Sequence, residues 1–281
     1  SVNVRILQRS NVLLGLDAIG YGPEAIKTIH GLIKKPHGII LLTGPTGSGK
    51  TTTLYAALDV LNTSERKILT IEDPVEYQLE GICQMQVRSD IGFTFAKGLR
   101  SMLRHDPDVM LIGEIRDFET AELAIRCSLT GHLVFSTLHT NDAAGAAARL
   151  IDIGIEPYLL ASSLDAVVAQ RLIRLICPHC MQGYVPEDEA LIECGADPRA
   201  VAEVAFKRGK GCERCRDLGY QGRSAIYEML LVDETIRGMI IDRVQSSRIK
   251  EDARRQGMLT LRDCGWSRVV AGLTTVDEVL R

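Results

Sequence analysis

Gly44-Pro45-Thr46-Gly47-Ser48-Gly49-Lys50-Thr51 follows directly on the apolar run Ile39-Ile40-Leu41-Leu42-Thr43. The octet fills G-x-x-x-x-G-K-[ST] in full. Its glycines let successive backbone N–H groups curl around an anion, and a helix opening here turns its positive end toward negative charge. Lys50 is placed to reach the β and γ positions of a polyphosphate, and the Thr51 hydroxyl to hold Mg²⁺, with Thr52 beside it in the same turn. A chance glycine-rich turn would need neither the strand before it nor the helical pattern after it.

Phosphoryl chemistry also needs an acidic group near the metal and the attacking water. Asp108-Val-Met-Leu-Ile-Gly-Glu114 reads as a buried strand ending in a carboxylate. Glu114 can orient water as a base or ligate Mg²⁺ through water. A second cluster, Ile71-Glu72-Asp73-Pro74-Val75-Glu76, falls at another strand end, where parallel sheets meet their ligands, and makes Glu72 a second candidate. The alternative there is a plain turn in which Asp73-Pro74 stops the strand. Two histidines bracket Leu133–Leu138; His139 at the strand end suits a hydrogen bond to a γ-phosphate, and His132 is taken with it as a nucleotide contact. Arg100 and Arg104 lie four apart on one helical face and Arg116 two beyond Glu114, so three guanidinium groups are expected around one acidic site. Balancing acids on a solvated face is the competing role for each.

These residues require a scaffold that brings strand ends together. Beta-like runs at 38–43, 67–71, 109–112 and 133–136 alternate with helical patterns at 51–61, 96–105 and 120–129, which reads as an α/β doubly wound parallel sheet. Residues 177–224 change character: Cys177-Pro-His-Cys180 and Cys212-Glu-Arg-Cys215 offer four thiolates, the ligand set of a closed structural Zn²⁺ site. With 31 residues between the pairs, the intervening segment must form a small unit of its own. His179 or Cys194 would ligate only in place of a missing thiolate. Cys83, Cys127, Cys194 and Cys264 read as small hydrophobes. The expected division is 1–10, a remnant of a truncated N-terminal domain; 11–176, the α/β core; 177–224, the metal-binding subdomain; and 225–281, a helical C-terminal domain.

The chain has 281 residues, with 33 Lys plus Arg against 36 Asp plus Glu for a formal charge of -3. No basic block tracks a phosphate backbone, so nucleic acid is not suggested. A zinc-containing nucleic-acid-handling protein is the alternative from another class, and it predicts steeply salt-dependent DNA binding. No run approaches the roughly 18 residues needed to span a bilayer, and no signal-peptide pattern opens the chain, so a cytoplasmic protein is expected. The start at Ser1, within the alternation Val2, Val4, Ile6, suggests that an upstream portion is missing.

Four boxes in this order, GPTGSGKT (44–51), TIEDPVEY (70–77), DPDVMLIGEIRD (106–117) and TGHLVFSTLHTNDA (130–143), resemble the Walker A, Asp box, atypical Walker B and His box of the secretion ATPase superfamily. The cysteine pairs and Gly222-Arg223-Ser-Ala-Ile-Tyr-Glu228 narrow the resemblance to the ATPases of type II secretion and type IV pilus assembly, and KTTTLYAALDVLNTSERK is more similar to the former. The resemblance implies a RecA-like core and a cytoplasmic homo-hexamer, recruited to the inner membrane by platform and cytoplasmic-domain proteins. There it would hydrolyse ATP with Mg²⁺ to extend a pseudopilus, or, in the alternative branch, a type IV pilus. It implies Glu114 as catalytic glutamate, Glu72 and Glu76 in the Asp box, and His139 near the γ-phosphate. Arg5, Arg100, Arg104, Arg116 and Arg223 become the arginines that read nucleotide within and between subunits.

Overall fold

A computed structural model describes residues 14–201 and 203–281. Arg5 and the expected remnant at 1–10 lie outside the described residues. A seven-stranded sheet runs in the order β3-β2-β4-β5-β1-β6-β9, with β1 Gly38–Thr43, β2 Ile68–Glu72, β3 Cys83–Gln86, β4 Val109–Ile112, β5 Leu133–Leu138, β6 Leu164–Ile176 and β9 Tyr220–Leu231. Neighbours from β3 to β6 are parallel, and β9 closes the edge antiparallel to β6.

Every residue of β1, β2, β4 and β5 is buried, as a parallel sheet covered on both faces demands. The pleat divides each strand between two cores. Ile40 and Leu42 of β1 pack with Phe135 against α1 (Pro23–Ile33) and α2 (Lys50–Leu61). Ile39 and Leu41 face the opposite core, with Leu99 of α3 (Phe95–Met102), Ala121 of α4 (Phe118–Leu129), Ala147 of α5 (Ala144–Ile153) and Leu160 of α6 (Pro157–Ser163). That core extends into Ile236 of α8 (Glu234–Ile241) and Ile249 of α9 (Ser246–Arg255).

The expected α/β core and helical tail are both present, but the division at 224/225 falls inside β9 and is corrected. Ala225 pairs with Leu172 and Arg223 with Arg174 in one continuous ladder. A partner about 50 residues distant in sequence leaves no local trace, so a composition change was a poor guide to this border. Beyond β6, β7 (Met181–Gly183) and β8 (Lys207–Gly209) form a two-stranded sheet beside α7 (Asp188–Glu193). Leu191 and Phe206 of this small unit share a cluster with Val269 of α10 (Leu261–Val270) and Val276 of α11 (Val276–Leu280), so the last helices pack back onto it.

Candidate active site

The octet leaves β1 and enters α2 at Lys50. Gly44, Gly47 and Gly49 all have positive φ, and side chains are excluded at two of them on spatial grounds as well. A Cβ on Gly44 would meet the Gln170 carbonyl at 2.4 Å, and one on Gly49 the Gln170 amide nitrogen at 2.8 Å. Lys50 is buried, and its Nζ donates to the carbonyls of Gly44 (2.7 Å) and Pro45 (3.1 Å). Burial lowers its pKa, partly offset by the Glu114 charge, which puts the two groups of opposite sign in one electrostatic environment. The hydroxyl of buried Ser48 has no hydrogen-bond partner. An ammonium folded onto its own loop, an unpaired hydroxyl and a curl of amides fit a bound polyphosphate with a first-turn threonine for Mg²⁺.

The loop rests on Gln170, a fully buried β6 side chain. Its Nε2 donates to the Ser48 carbonyl (2.8 Å), while its Oε1 accepts from Tyr21 Oη (2.5 Å) and Thr53 Oγ1 (2.8 Å). Sequence reasoning missed this residue, although a lone polar side chain in Ala166-Val-Val-Ala-Gln170 was a usable sign. Beside the loop, Pro45 to Ser48 line a cleft of about 340 Å³ together with Arg171, Arg174, Arg223 and Glu278. Arg223 therefore lies beside the glycine loop. Arg174 and Glu278 close one wall as an ion pair (2.6 Å), and Arg174 also lies over the Tyr220 ring at 4.2 Å.

Glu114 follows β4 with its side chain 12% exposed, paired with Arg116 and 3.5 Å from His139 Nε2. The hydrogen bond to Glu114, then its charge and that of Asp73, hold the Arg116 guanidinium pKa up against slight desolvation. His139 belongs to a loop anchored at the root of the phosphate loop: the Thr140 N–H donates to Thr43 Oγ1 at 2.8 Å. The structure therefore brings together Lys50, Glu114, Arg116 and His139.

Other candidates fall elsewhere. His132 precedes β5, and its Nδ1 meets the Cys127 carbonyl at 2.8 Å. Two histidines bracketing a six-residue strand must sit about 20 Å apart at its opposite ends, so His132 is corrected from nucleotide contact to a helix-end contact. Glu72 is buried and engaged by Tyr55 Oη, Thr70 Oγ1 (2.6 Å) and Gln84 Nε2 (3.3 Å). Those contacts are structural, whereas Glu76 is half-exposed on the following turn. Arg100 pairs with Glu119, and Arg104 donates to the Arg100 carbonyl (3.0 Å). Both are exposed, so within one subunit Arg116 alone of these three contacts the acidic site.

Cys177, Cys180, Cys212 and Cys215 converge with all four sulfurs within 4.8 Å of one another. Neighbouring Sγ–Sγ distances are 3.9, 3.8 and 3.7 Å. A tetrahedral Zn²⁺ with Zn–S near 2.3 Å has edges of about 3.8 Å, so the four thiols fit that ion.

Residues 1–281 match the family model described as Type II/IV secretion system protein. The chain belongs to that family. It is 51% identical over 283 residues to Type II secretion system protein E of Dickeya dadantii, covering 100% of this chain and 55% of that protein. It is 46% identical over 280 residues to the type IV pilus assembly ATPase PilB of Myxococcus xanthus, covering 99% and 50%. The chain thus spans about half the length of the curated relatives it matches. Among solved structures, the pilus retraction motor PilT with bound ADP superposes with a TM-score of 0.72 at 29% identity, over 97% of this chain and 67% of that one. The Legionella pneumophila ATPase DotB shares the fold, with a TM-score of 0.67 at 22% identity over 95% and 64%. For a type II/IV secretion system protein, the phosphate loop, Glu114 and His139 lie at the C-terminal ends of the interior strands β1, β4 and β5, and the cysteine cluster lies beyond β6. Among the described residues no helix is long and apolar enough to cross a membrane.

Proposed function

We propose that this chain is the ATP-hydrolysing segment of a type II secretion ATPase, working in the cytoplasm as a hexamer docked on inner-membrane partners and driving pseudopilus extension. The observation that carries the reading is the convergence of Lys50, Glu114, Arg116 and His139 beside the glycine loop. The 51% identity to Type II secretion system protein E favours that branch over PilB at 46%.

In the reaction, the loop amides and Lys50 hold the phosphate chain, and Glu114 orients water and takes its proton. Arg116 keeps Glu114 in place, and His139 donates to the terminal phosphate. Thr51 would hold Mg²⁺, which would supply charge neutralisation on the phosphate chain. Arg100 and Arg104 are exposed and so are available to a neighbouring subunit's nucleotide, while Glu76 contributes from the half-buried turn. The four cysteines would hold Zn²⁺ as a structural ion.

Lys50→Ala should abolish nucleotide binding, and Glu114→Gln should keep binding while turnover falls at least ~100-fold. Parental turnover in Glu114→Gln would transfer the base role away from Glu114. ATPase rate per subunit should climb with protein concentration if neighbouring arginines complete the site; a flat profile refutes that part.

A further inference from the structure

Asp142 closes the loop that carries His139, and its carboxylate is held from two sides. Oδ1 accepts the Gly145 N–H at 2.9 Å, while Oδ2 lies 3.1 Å from Nζ of Lys250, a residue of α9 108 positions further along the chain. The same ammonium is 3.0 Å from Oε2 of Glu228, a fully buried side chain of β9. The other Glu228 oxygen accepts the Ala143 N–H at 3.0 Å, where α5 begins.

Burial alone would lower the Lys250 pKa, but Glu228 and Asp142 outweigh it and raise it, so the group is a cation at neutral pH. Each carboxylate also accepts a backbone N–H where α5 begins. The loop is therefore fixed at one end to Thr43, the residue before Gly44, and at the other to β9 and α9. His139 sits between the end of β5 and Thr140, one residue ahead of the first anchor and 3.5 Å from Glu114.

We propose that Lys250 and Glu228 are positioning residues for hydrolysis, clamping the His139–Ala143 loop against Glu114 and making the loop and the C-terminal helices move as one body. The proposal rests on the ATPase reading of the cleft. A change at the terminal phosphate that displaces His139 would be delivered through Asp142 and Lys250 to α9, a route from chemistry to mechanical output.

The test compares Lys250→Met, Lys250→Arg and the doubly neutral Lys250→Met/Glu228→Gln, which leaves no buried unpaired carboxylate at position 228. Arg248→Ala on the same helix, whose side chain is exposed, is the control. Two readouts are taken below each variant's Tm: ATP turnover at limiting and saturating ATP, and hydrogen exchange of the 139–145 amides. Lys250→Met should lose at least ~10-fold in kcat with KM within ~3-fold, and Lys250→Arg should restore most of it. On a His139→Ala background the same change should cost less than ~2-fold more, because both act through one loop. The loop amides should exchange ~10-fold faster in Lys250→Met and in the double variant, with α2 unchanged.

Parental kcat, additive losses with His139→Ala, or unchanged loop exchange would each overturn the clamp. If Lys250→Met does not fold, the double variant carries the same criteria. If the parent turns over no ATP, the functional reading fails by itself, and loop exchange still decides whether the clamp exists.

Discussion

Gln170→Leu is the most direct test of how the phosphate loop is held. Leucine nearly conserves volume, so the cavity contribution stays small, but three polar groups lose their partner at once: the Ser48 carbonyl, Tyr21 Oη and Thr53 Oγ1. Burial raises the Tyr21 pKa, so it remains a phenol with a proton to donate. Leaving a buried polar group unpaired costs roughly 1–3 kcal/mol. Three such groups, with some relief from hydroxyl rotation, give a loss of about 3–6 kcal/mol, a large share of a typical 5–15 kcal/mol. Urea unfolding followed by far-UV circular dichroism should show the midpoint falling with an unchanged slope. Tyr21→Phe, which leaves Thr53 as the remaining partner of Oε1, should cost only about 1 kcal/mol. Nucleotide affinity, measured by fluorescence titration below the transition, should fall at least ~10-fold because the Ser48 carbonyl no longer fixes the loop. A Gln170→Leu protein within 1 kcal/mol of the parent would refute the hub, as would full stability loss with parental affinity.

Chelation should release about one zinc per chain by elemental analysis and lower Tm, and Cys177→Ser should reproduce the shift; an unchanged Tm on complete metal removal would deny the ion a structural role. His132→Ala should leave nucleotide affinity within ~2-fold while His139→Ala slows turnover at least ~10-fold, and the reverse order would restore His132 to the site. Burial alone would raise the Glu278 pKa, but hydrogen bonds and charge from Arg174 bring it below the ordinary 4.5. A depressed carboxylate contributes stability that is present above the unfolded value and is lost as pH falls through the folded one. Glu278→Gln should therefore narrow the Tm difference between neutral pH and pH 3.5, and an equal difference in both proteins would discount the pair.

The core strands were legible because each is a short apolar run between turn signals: the reading of 38–43 and 109–112 coincides with β1 and β4. Thr137 and Leu138 extend β5 past the expected 136, since Thr137 carries a hydroxyl yet is buried and donates to the Gly113 carbonyl at 2.7 Å. What stayed hidden was long-range. Among the described residues β9 joins the main sheet only through β6, and its stretch Tyr220-Gln-Gly-Arg-Ser alternates too weakly to announce a strand. Gln170 and Lys250 likewise act on loops more than 100 positions away, and composition carries no trace of that.

The two glutamates show which part of a site position alone can settle. Both fall at or just past the C-terminal end of a parallel strand, so sequence reasoning ranked them by motif. Strand alternation separates them. Glu72 shares a face with Thr70 and Ile68, and Ile68 packs in the core with α2, where Tyr55 Oη awaits its carboxylate. Glu114 lies two residues beyond β4, past Gly113, whose Cα has no room for a side chain without crowding the Glu72 Cα at 3.2 Å and the Ile71 carbonyl at 3.3 Å. The glycine lets the chain pass close to β2 and leave the pleat, so Glu114 is freed from the hydrogen-bond partners that consume Glu72 and meets Arg116 and His139 instead. A carboxylate engaged by a phenol, a hydroxyl and an amide is held by three donors in the core rather than turned toward a bound nucleotide. Glu72→Gln should therefore act mainly on stability, and Glu114→Gln on turnover.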